Sequence, residues 1–416
     1  MTTPLAQARS GLDACVHCGF CLQACPTYLA LGDENDSPRG RLVLMRGLVE
    51  GTLATDDALV GKHIDQCLGC RACETACPSG VPYGQLLEAT RATLAIDRPI
   101  PLVARVILRV FASPWLLRPA LAFARLARAT GIPSLAARLP GRAGFAAAML
   151  ASTEPPIRVR PYRAVAAAPD RGPVVLLNGC VMEGLLGPTN EATVRTLTVN
   201  GYRVVTAEPQ GCCGALHAHA GDVATARALA KRNVAAFERV GDAAIAVNAA
   251  GCGAMIKEYG HLLHDDPKWA ARAASVSARA RDVSELLAAA GPVPGAPIEG
   301  LPGPVTYDAP CHLQHAQRIT GPPLTVLGAI PGLPLVPLAD SDQCCGSAGI
   351  YNLVEPAISD AVLRPKLAAI AASGAALVAT GNPGCLMQIG AGLRHAGREA
   401  RSVHPVDLLD ASYAAR

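Results

Sequence analysis

Cys15, Cys18, Cys21 and Cys25, followed by Pro26, spell C-x2-C-x2-C-x3-C-P, and Cys67, Cys70, Cys73 and Cys77, followed by Pro78, spell it again. A cubane cluster needs four thiolates at the corners of a small tetrahedron. Three cysteines two residues apart can wrap one cluster. The fourth cannot close the same tetrahedron and reaches the other cluster. This reading gives Cys15, Cys18, Cys21 and Cys77 to one [4Fe–4S] cluster, and Cys67, Cys70, Cys73 and Cys25 to a second. A four-cysteine zinc site would instead use two C-x2-C pairs.

The C-terminal part carries a second duplication. Cys180, Cys212, Cys213 and Cys252 recur as Cys311, Cys344, Cys345 and Cys385, at offsets of 131, 132 and 133 residues. Short apolar runs lead into several of them: 174–177 before Cys180, 243–247 before Cys252 and 375–379 before Cys385. Ala-rich helical stretches, 224–238 and 357–372, lie between. Strands alternating with helices predict parallel α/β layers, whose strand carboxyl ends share one edge where ligands bind. Three loops per copy would then bring four thiols together. Single cysteines are often plain core residues, and a vicinal disulfide is strained; eight in duplicate read better as one or two metal sites. The second copy is the preferred holder, because Gly346-Ser347-Ala348-Gly349 offers room and donors. The first copy, with Ala215-Leu216, is the weaker candidate.

These sites need scaffolds, and 416 residues allow two to four domains. The expected division is a helical two-cluster domain over 1–97, a basic linker over 98–165, and repeats over 166–300 and 301–416. Residues 40–50 and 81–95 have helical apolar spacing. Sixteen cysteines in a reducing compartment are not a disulfide framework. The chain is 50% hydrophobic and 17% charged, and a net charge of +4 argues against nucleic acid as partner. No signal peptide and no run of eighteen uncharged apolar residues is present, so the expected place is the cytoplasm, peripheral on the membrane. From Arg98 to Thr153 there is no acidic residue but eight arginines: Arg98, Arg105, Arg109, Arg118, Arg125, Arg128, Arg138 and Arg142. With Trp115, Phe123 and several leucines between them, this is the composition of in-plane amphipathic helices on an anionic membrane. The other reading is a linker packed on the protein with its arginines outward. Prolines at 99, 101, 114, 119, 133 and 140 are expected to cut it into short helices.

Several strings carry a resemblance: Cys15-Val16-His17-Cys18-Gly19-Phe20-Cys21, Pro38-Arg39-Gly40-Arg41, Gly251-Cys252-Gly253-Ala254, Cys311-His312-Leu313-Gln314-His315 and Cys344-Cys345-Gly346-Ser347-Ala348-Gly349. The N-terminal part resembles the helical two-cluster ferredoxin domain of respiratory dehydrogenases. The repeats resemble the CCG (cysteine-rich) domain of heterodisulfide reductases. Together, in this order, they resemble the glycolate oxidase (glycolate dehydrogenase) iron–sulfur subunit family. The resemblance implies an α+β multidomain chain that takes electrons from a separate flavin subunit, where glycolate becomes glyoxylate, and passes them to quinone or another respiratory acceptor. This chain would have no catalytic residue of its own, and no G-x-G-x-x-G follows a strand. CCG reductases with a non-cubane cluster add C-x2-C at each motif's end. Here Met255 and Gln388 stand in its place. That leaves open a third iron–sulfur cluster, zinc, or a vestigial copy, and speaks against a catalytic disulfide reductase. A carrier for lactate or glycerol 3-phosphate oxidation is the other alternative. Arg39 and Arg41 read equally as cluster-tuning donors or solvated surface. His312 and His315, three residues apart after Cys311, read either as flanking the second quartet or, preferably, as helix-start residues bonded locally.

Overall fold

In a computed structural model of the chain, residues 3–157 and 159–416 are described. Helix α1 (Pro38–Glu50) starts two residues before its predicted limit. Ser37 caps it by accepting from the Gly40 amide, Pro38 occupies its first turn, and Gly51 ends it in the left-handed region. With α2 (Ala58–Asp65) and α3 (Tyr83–Leu94) it encloses a core of Leu42, Met45, Ile64, Leu86 and Leu87, closed by Leu5 and Leu12. The first cysteine string lies ahead of α1 and the second between α2 and α3, with Cys73 in a single helical turn, Ala72–Thr75.

The linker forms α4 (Leu102–Ala112), α5 (Pro114–Ala129) and α6 (Gly141–Ala151). Pro119 does not cut it: α5 runs through and gives up the one main-chain hydrogen bond that residue 119 would donate. No single helix is long and apolar enough to cross a membrane. α4 and α5 together have the length and hydropathy of a span but are bent by 102° at their break. α5 is fastened to the protein by Arg128, which donates to Thr153 O at 2.9 Å and Leu185 O at 2.9 Å.

The first repeat runs β1 (Pro173–Leu176), α7 (Gly187–Val199), β2 (Arg203–Val205), α8 (Val223–Glu238), β3 (Ala244–Val247), α9 (Ala250–Lys257), β4 (Ala280–Asp282) and α10 (Val283–Ala290). The second has β5 (Val305–Tyr307), β6 (Leu335–Val336), α11 (Pro356–Ser373), β7 (Leu377–Ala379), α12 (Pro383–His395), β8 (Arg401–Val403) and α13 (Pro405–Ala414). The sheets have strand orders β2-β1-β3-β4 and β6-β5-β7-β8, parallel throughout. The same order in each sheet is what a sequence duplication predicts.

Side chains alternate across β1. Val175 and Leu177 enter the first repeat's own core. Val174 and Leu176 enter one shared with Val305, Tyr307 and Leu377 of the second. The repeats are also tied by charge: Arg195 on α7 makes a bidentate pair with the fully buried Asp410 on α13, at 2.9 and 2.7 Å.

Candidate metal centres

In the N-terminal domain the eight cysteines gather around two small cavities. Cys15, Cys18, Cys21 and Cys77 border the first, and Cys25, Cys67 and Cys70 the second; Cys73 borders both. The sequence therefore folds back so that each triplet meets the fourth cysteine of the other string. The two sites differ in exposure. Cys18 is exposed, and Cys15, Cys21 and Cys77 are half-buried. Cys25, Cys67, Cys70 and Cys73 are all buried. Burial pushes the Cys21 thiol up to about 11, and burial also raises Cys73. Such thiols ionise only against a strong positive centre, which is what iron supplies.

Arg41 is fully buried, which corrects the surface reading. It donates to Thr27 Oγ1 at 3.0 Å and to Asp36 Oδ1 at 3.0 Å, and Thr27 Oγ1 lies 3.3 Å from Cys25 Sγ. Arg39 stays near the surface and donates to His17 O at 3.3 Å beside the outer site. Tyr83 donates to Cys67 Sγ at 3.7 Å from the inner wall.

In each repeat the loops after three adjacent strands deliver the other cysteines. Cys180 follows β1, Cys212 and Cys213 follow β2, and Cys252 opens α9 after β3. Cys213 and Cys252 sulfurs are 3.3 Å apart, as are those of Cys345 and Cys385. All are free thiols. Hydrogen bonds from Cys180 and Cys213 pull Cys212 well below the ordinary thiol range, and those from Cys311 and Cys345 do the same to Cys344. The glycine after each vicinal pair is required. Gly214 and Gly346 have φ of +91° and +83°, and a Cβ on Gly346 would lie 2.5 Å from Ser359 O.

Whether these residues suit an inorganic centre is tested by the polar atoms around them. In the second repeat the Ser347 hydroxyl is buried with no partner among the described residues, and it faces Gly384 beside Cys385. Gly346 N and Asn382 Nδ2 each donate to a thiol sulfur at 3.4 Å. Donors aimed at sulfur and an orphaned hydroxyl fit a sulfur-rich group. At the positions of the missing C-x2-C, Met255 is core, and Gln388 is bonded to Asn352 and Ser359 at 2.8 and 2.9 Å. Neither points to a fifth ligand.

The histidines are not bonded locally, contrary to expectation. His312 Nε2 meets Gly69 O at 3.1 Å, and His315 Nδ1 meets Thr75 Oγ1 at 2.8 Å, both in the second cysteine string. They sit in a π-helical turn that aims them at the N-terminal domain. Around them Leu68, Cys70, Cys344, Tyr351, Ile358 and Val362 form one apolar cluster, so the inner N-terminal site and the second repeat's quartet share a wall. The quartets are also neighbours: Ala250 N donates to Gly381 O at 3.1 Å and Gly251 N to Asn382 Oδ1 at 3.2 Å, joining the loops that carry Cys252 and Cys385. Sequence reasoning missed this packing, since it joins residues more than 130 apart.

The first quartet faces elsewhere. Cys180 and Cys212 line a cavity of about 610 Å³ roofed by α4 and α5.

Two domain profiles match the chain: a 4Fe-4S dicluster domain over residues 11–81 and a cysteine-rich (CCG) domain over 174–257 and again over 305–390. The probable glycolate oxidase iron–sulfur subunit of Bacillus subtilis (strain 168) is 38% identical over 95% of this chain and 92% of its own length. The glycolate oxidase iron–sulfur subunit of Escherichia coli (strain K12) is 36% identical over 91% and 90%. The chain belongs to the glycolate oxidase iron–sulfur subunit family. Lactate utilization protein A of Geobacillus kaustophilus (strain HTA426) is also similar, at 32% identity over 57% of this chain and 98% of that protein. Membership fixes the chemistry as iron–sulfur electron transfer within an oxidoreductase complex, and the substrate is oxidised on another subunit.

Proposed function

We propose that this subunit serves a complex that oxidises glycolate to glyoxylate on a flavin-bearing partner, and that it delivers the electrons to a quinone at the cytoplasmic face of the membrane. The observation that carries the reading is the order of the thiol sites: exposed outer site, buried inner site, second-repeat quartet, first-repeat quartet, each against the next. Cys15, Cys18, Cys21 and Cys77 would hold the outer [4Fe–4S] cluster, and Cys25, Cys67, Cys70 and Cys73 the inner. Cys311, Cys344, Cys345 and Cys385 would hold a third centre. The clusters supply one-electron carriers when bound. Val16 and Phe20, 68% and 67% exposed beside the outer site, offer the partner an apolar docking point.

The linker helices support the membrane side. Trp115 and Phe123 are 89% and 71% exposed, with Leu102, Val103, Val106, Leu116 and Leu126 outward as well. Arg105 and Arg109 are exposed among them, with no acidic residue in the segment. Apolar side chains with interleaved arginines suit an anionic bilayer. The division into 1–97, 98–165, 166–300 and 301–416 follows the same logic: carrier, membrane contact, two relay units.

The test is anaerobic co-purification, an iron count, and reduction of the chain's centres by added substrate through the partner. About eight irons per chain are expected from the N-terminal pair and about twelve if the second repeat holds a cluster. Reduction by lactate or glycerol 3-phosphate and not by glycolate would overturn the substrate. Arg105 and Arg109 changed to Glu should release the complex from anionic vesicles. Unchanged vesicle binding with loss of the flavin subunit would make this face the partner's instead.

A further inference from the structure

Among the described residues, the first quartet opens on a space large enough for a ligand. The cavity of about 610 Å³ lies within the range of small-molecule sites. Its floor is Cys180, Cys212, Asn178 and Gln210. Phe111, Leu117, Leu121 and Leu229 make apolar walls, and Arg118, Arg125 and Arg232 bring three guanidinium groups. None of the three forms an ion pair or a side-chain hydrogen bond among the described residues, whereas Arg128 on α5 is spent on backbone carbonyls. Glu183 and Glu208 complete the wall. α5 sits so tightly on Gly184 that a Cβ there would collide with Leu121, so the roof is a packed element.

The roof has two faces. Its inner face bears Leu117, Leu121, Arg118 and Arg125, and its outer face is the apolar surface of Trp115, Leu116, Phe123 and Leu126. The cavity therefore lies between a thiol quartet and the face assigned above to the bilayer. A ligand for it must be a flat or slender apolar body, with oxygens for the arginines, and soluble in the membrane.

The geometry points to a quinone-headgroup site in this cavity, with Arg118 and Arg125 donating to the ring's carbonyl oxygens and Arg232 beside the Cys212 loop. This rests on the reading of the chain as a carrier to the membrane. Conversion of the bound quinone to hydroquinone takes two electrons, supplied by the hydroxy acid oxidised on the partner subunit, and two protons, for which Glu183 and Glu208 are the acids of the wall. Arginine suits the role because its fixed donors stay charged while the ring oxygens gain electron density.

The experiment uses the whole complex in anionic vesicles and an azido-substituted benzoquinone with a short isoprenoid tail. After illumination, peptides are mapped by mass spectrometry. Label is expected on residues 111–125 and 178–184. Arg118→Gln with Arg125→Gln should weaken labelling about tenfold or more, since two charge-assisted bonds are lost. Ala122→Trp, which fills the cavity without touching charge, should do the same. Reduction of a water-soluble dye is read in parallel. Label in the cavity that falls in the variants supports the site. Label elsewhere, or label indifferent to both changes, overturns it even if dye reduction shows the carrier function intact. Should a variant misfold, the wild-type label map decides alone. Substrate-driven dye reduction absent from the wild type would instead defeat the carrier reading on which the site rests.

Discussion

The two thiol quartets are built by the same three loops on the same sheet, yet they keep different company. The second repeat's quartet is walled in by the N-terminal domain, with His312, Tyr351 and Cys344 against Gly69, Gln66 and Cys70. The first repeat's quartet faces a cavity under the linker helices. The residues that differ between copies follow from this. Val181 stands where His312 follows Cys311, and Ala215 where Ser347 follows the vicinal pair. The copy that touches the inner site carries groups that bond across to it and into its own quartet. The copy that faces the cavity has small apolar ones. Duplication supplied two equivalent sites, and docking of the N-terminal domain on one of them broke the equivalence.

The largest effects should come from the thiols themselves. Cys70→Ser should drop substrate-driven dye and quinone reduction to background, because the inner site has no bypass. The copies should then diverge. Cys344→Ser should remove the iron that the second repeat adds and alter the spectroscopic signature of the inner cluster across the shared wall. Cys212→Ser should leave both N-terminal clusters reducible by substrate while stopping delivery to quinone. Equal damage to the N-terminal clusters from both changes would erase the asymmetry. Ser347→Ala, if the second repeat holds a cluster, should lower its potential in a redox titration by removing a donor, and Ala215→Ser should not mimic it in the first repeat.

An intermediate effect concerns how the N-terminal domain is fastened. To the first repeat it is held by charge: Arg71 bridges its own Glu74 at 2.9 Å and Glu258 across the interface, with Glu74 also accepting from Gly84 N at 2.6 Å. To the second it is held by hydrogen bonds from His312, His315 and Tyr351. Removing Arg71 leaves two mostly buried carboxylates without their cation. Arg71→Ala should therefore cost about 3 kcal/mol of stability, and His312→Ala about 1 kcal/mol, both read by denaturant unfolding under anaerobic conditions. The reverse ranking would mean the domain is clamped chiefly on the second repeat.

What the sequence disclosed and what it hid divide along the same line. The cysteine strings, the strands before Cys180, Cys252 and Cys385, and the long helices were legible because ligand spacing and apolar periodicity are local. The partners of His312 and His315 were not. Their bonds reach 243 and 240 residues back along the chain, and no pattern near Cys311 encodes them. Arg41 was ambiguous for a related reason. Its charge suggested solvent, while its burial depends on Asp36 and on His63 across α2, whose backbone carbonyl accepts from Arg41 Nε at 2.6 Å. The linker reading mixed both cases. Its composition announced the exposed apolar face, but nothing in it showed that α5 would cover Cys180.

The smallest expected effect compares the ends of the two sheets. The helix after the last strand of each repeat is capped at its N-terminus by a buried titratable group, Asp282 before α10 and His404 before α13. Asp282 accepts from Ser284 N at 2.8 Å, and burial pushes its carboxyl up to about 6. His404 Nδ1 accepts from Val406 N at 3.1 Å, its Nε2 meets Asn248 O at 3.0 Å, and burial pushes the imidazole down to about 4. The consequences for stability have opposite signs. The unfolded carboxyl is ionised from about pH 4 upward, so the folded state gives up stability as pH rises toward 6. The unfolded imidazole is protonated below about 6.5 while the folded one stays neutral, so stability is gained as pH rises over much the same range. Each contribution is on the order of 2 kcal/mol at its limit, and in the native chain they oppose one another. Asp282→Asn keeps the cap acceptor and removes the falling branch, so its melting temperature relative to wild type should improve from pH 5 to 6 and then level off. His404→Asn keeps the cap but removes the rising branch, so relative to wild type it should lose ground between pH 5 and 6.5. Calorimetric scans of anaerobic protein across pH 5 to 7 measure both. Parallel melting curves for the two variants would show that the end caps of the repeats, unlike their thiol sites, have not diverged in their response to protons.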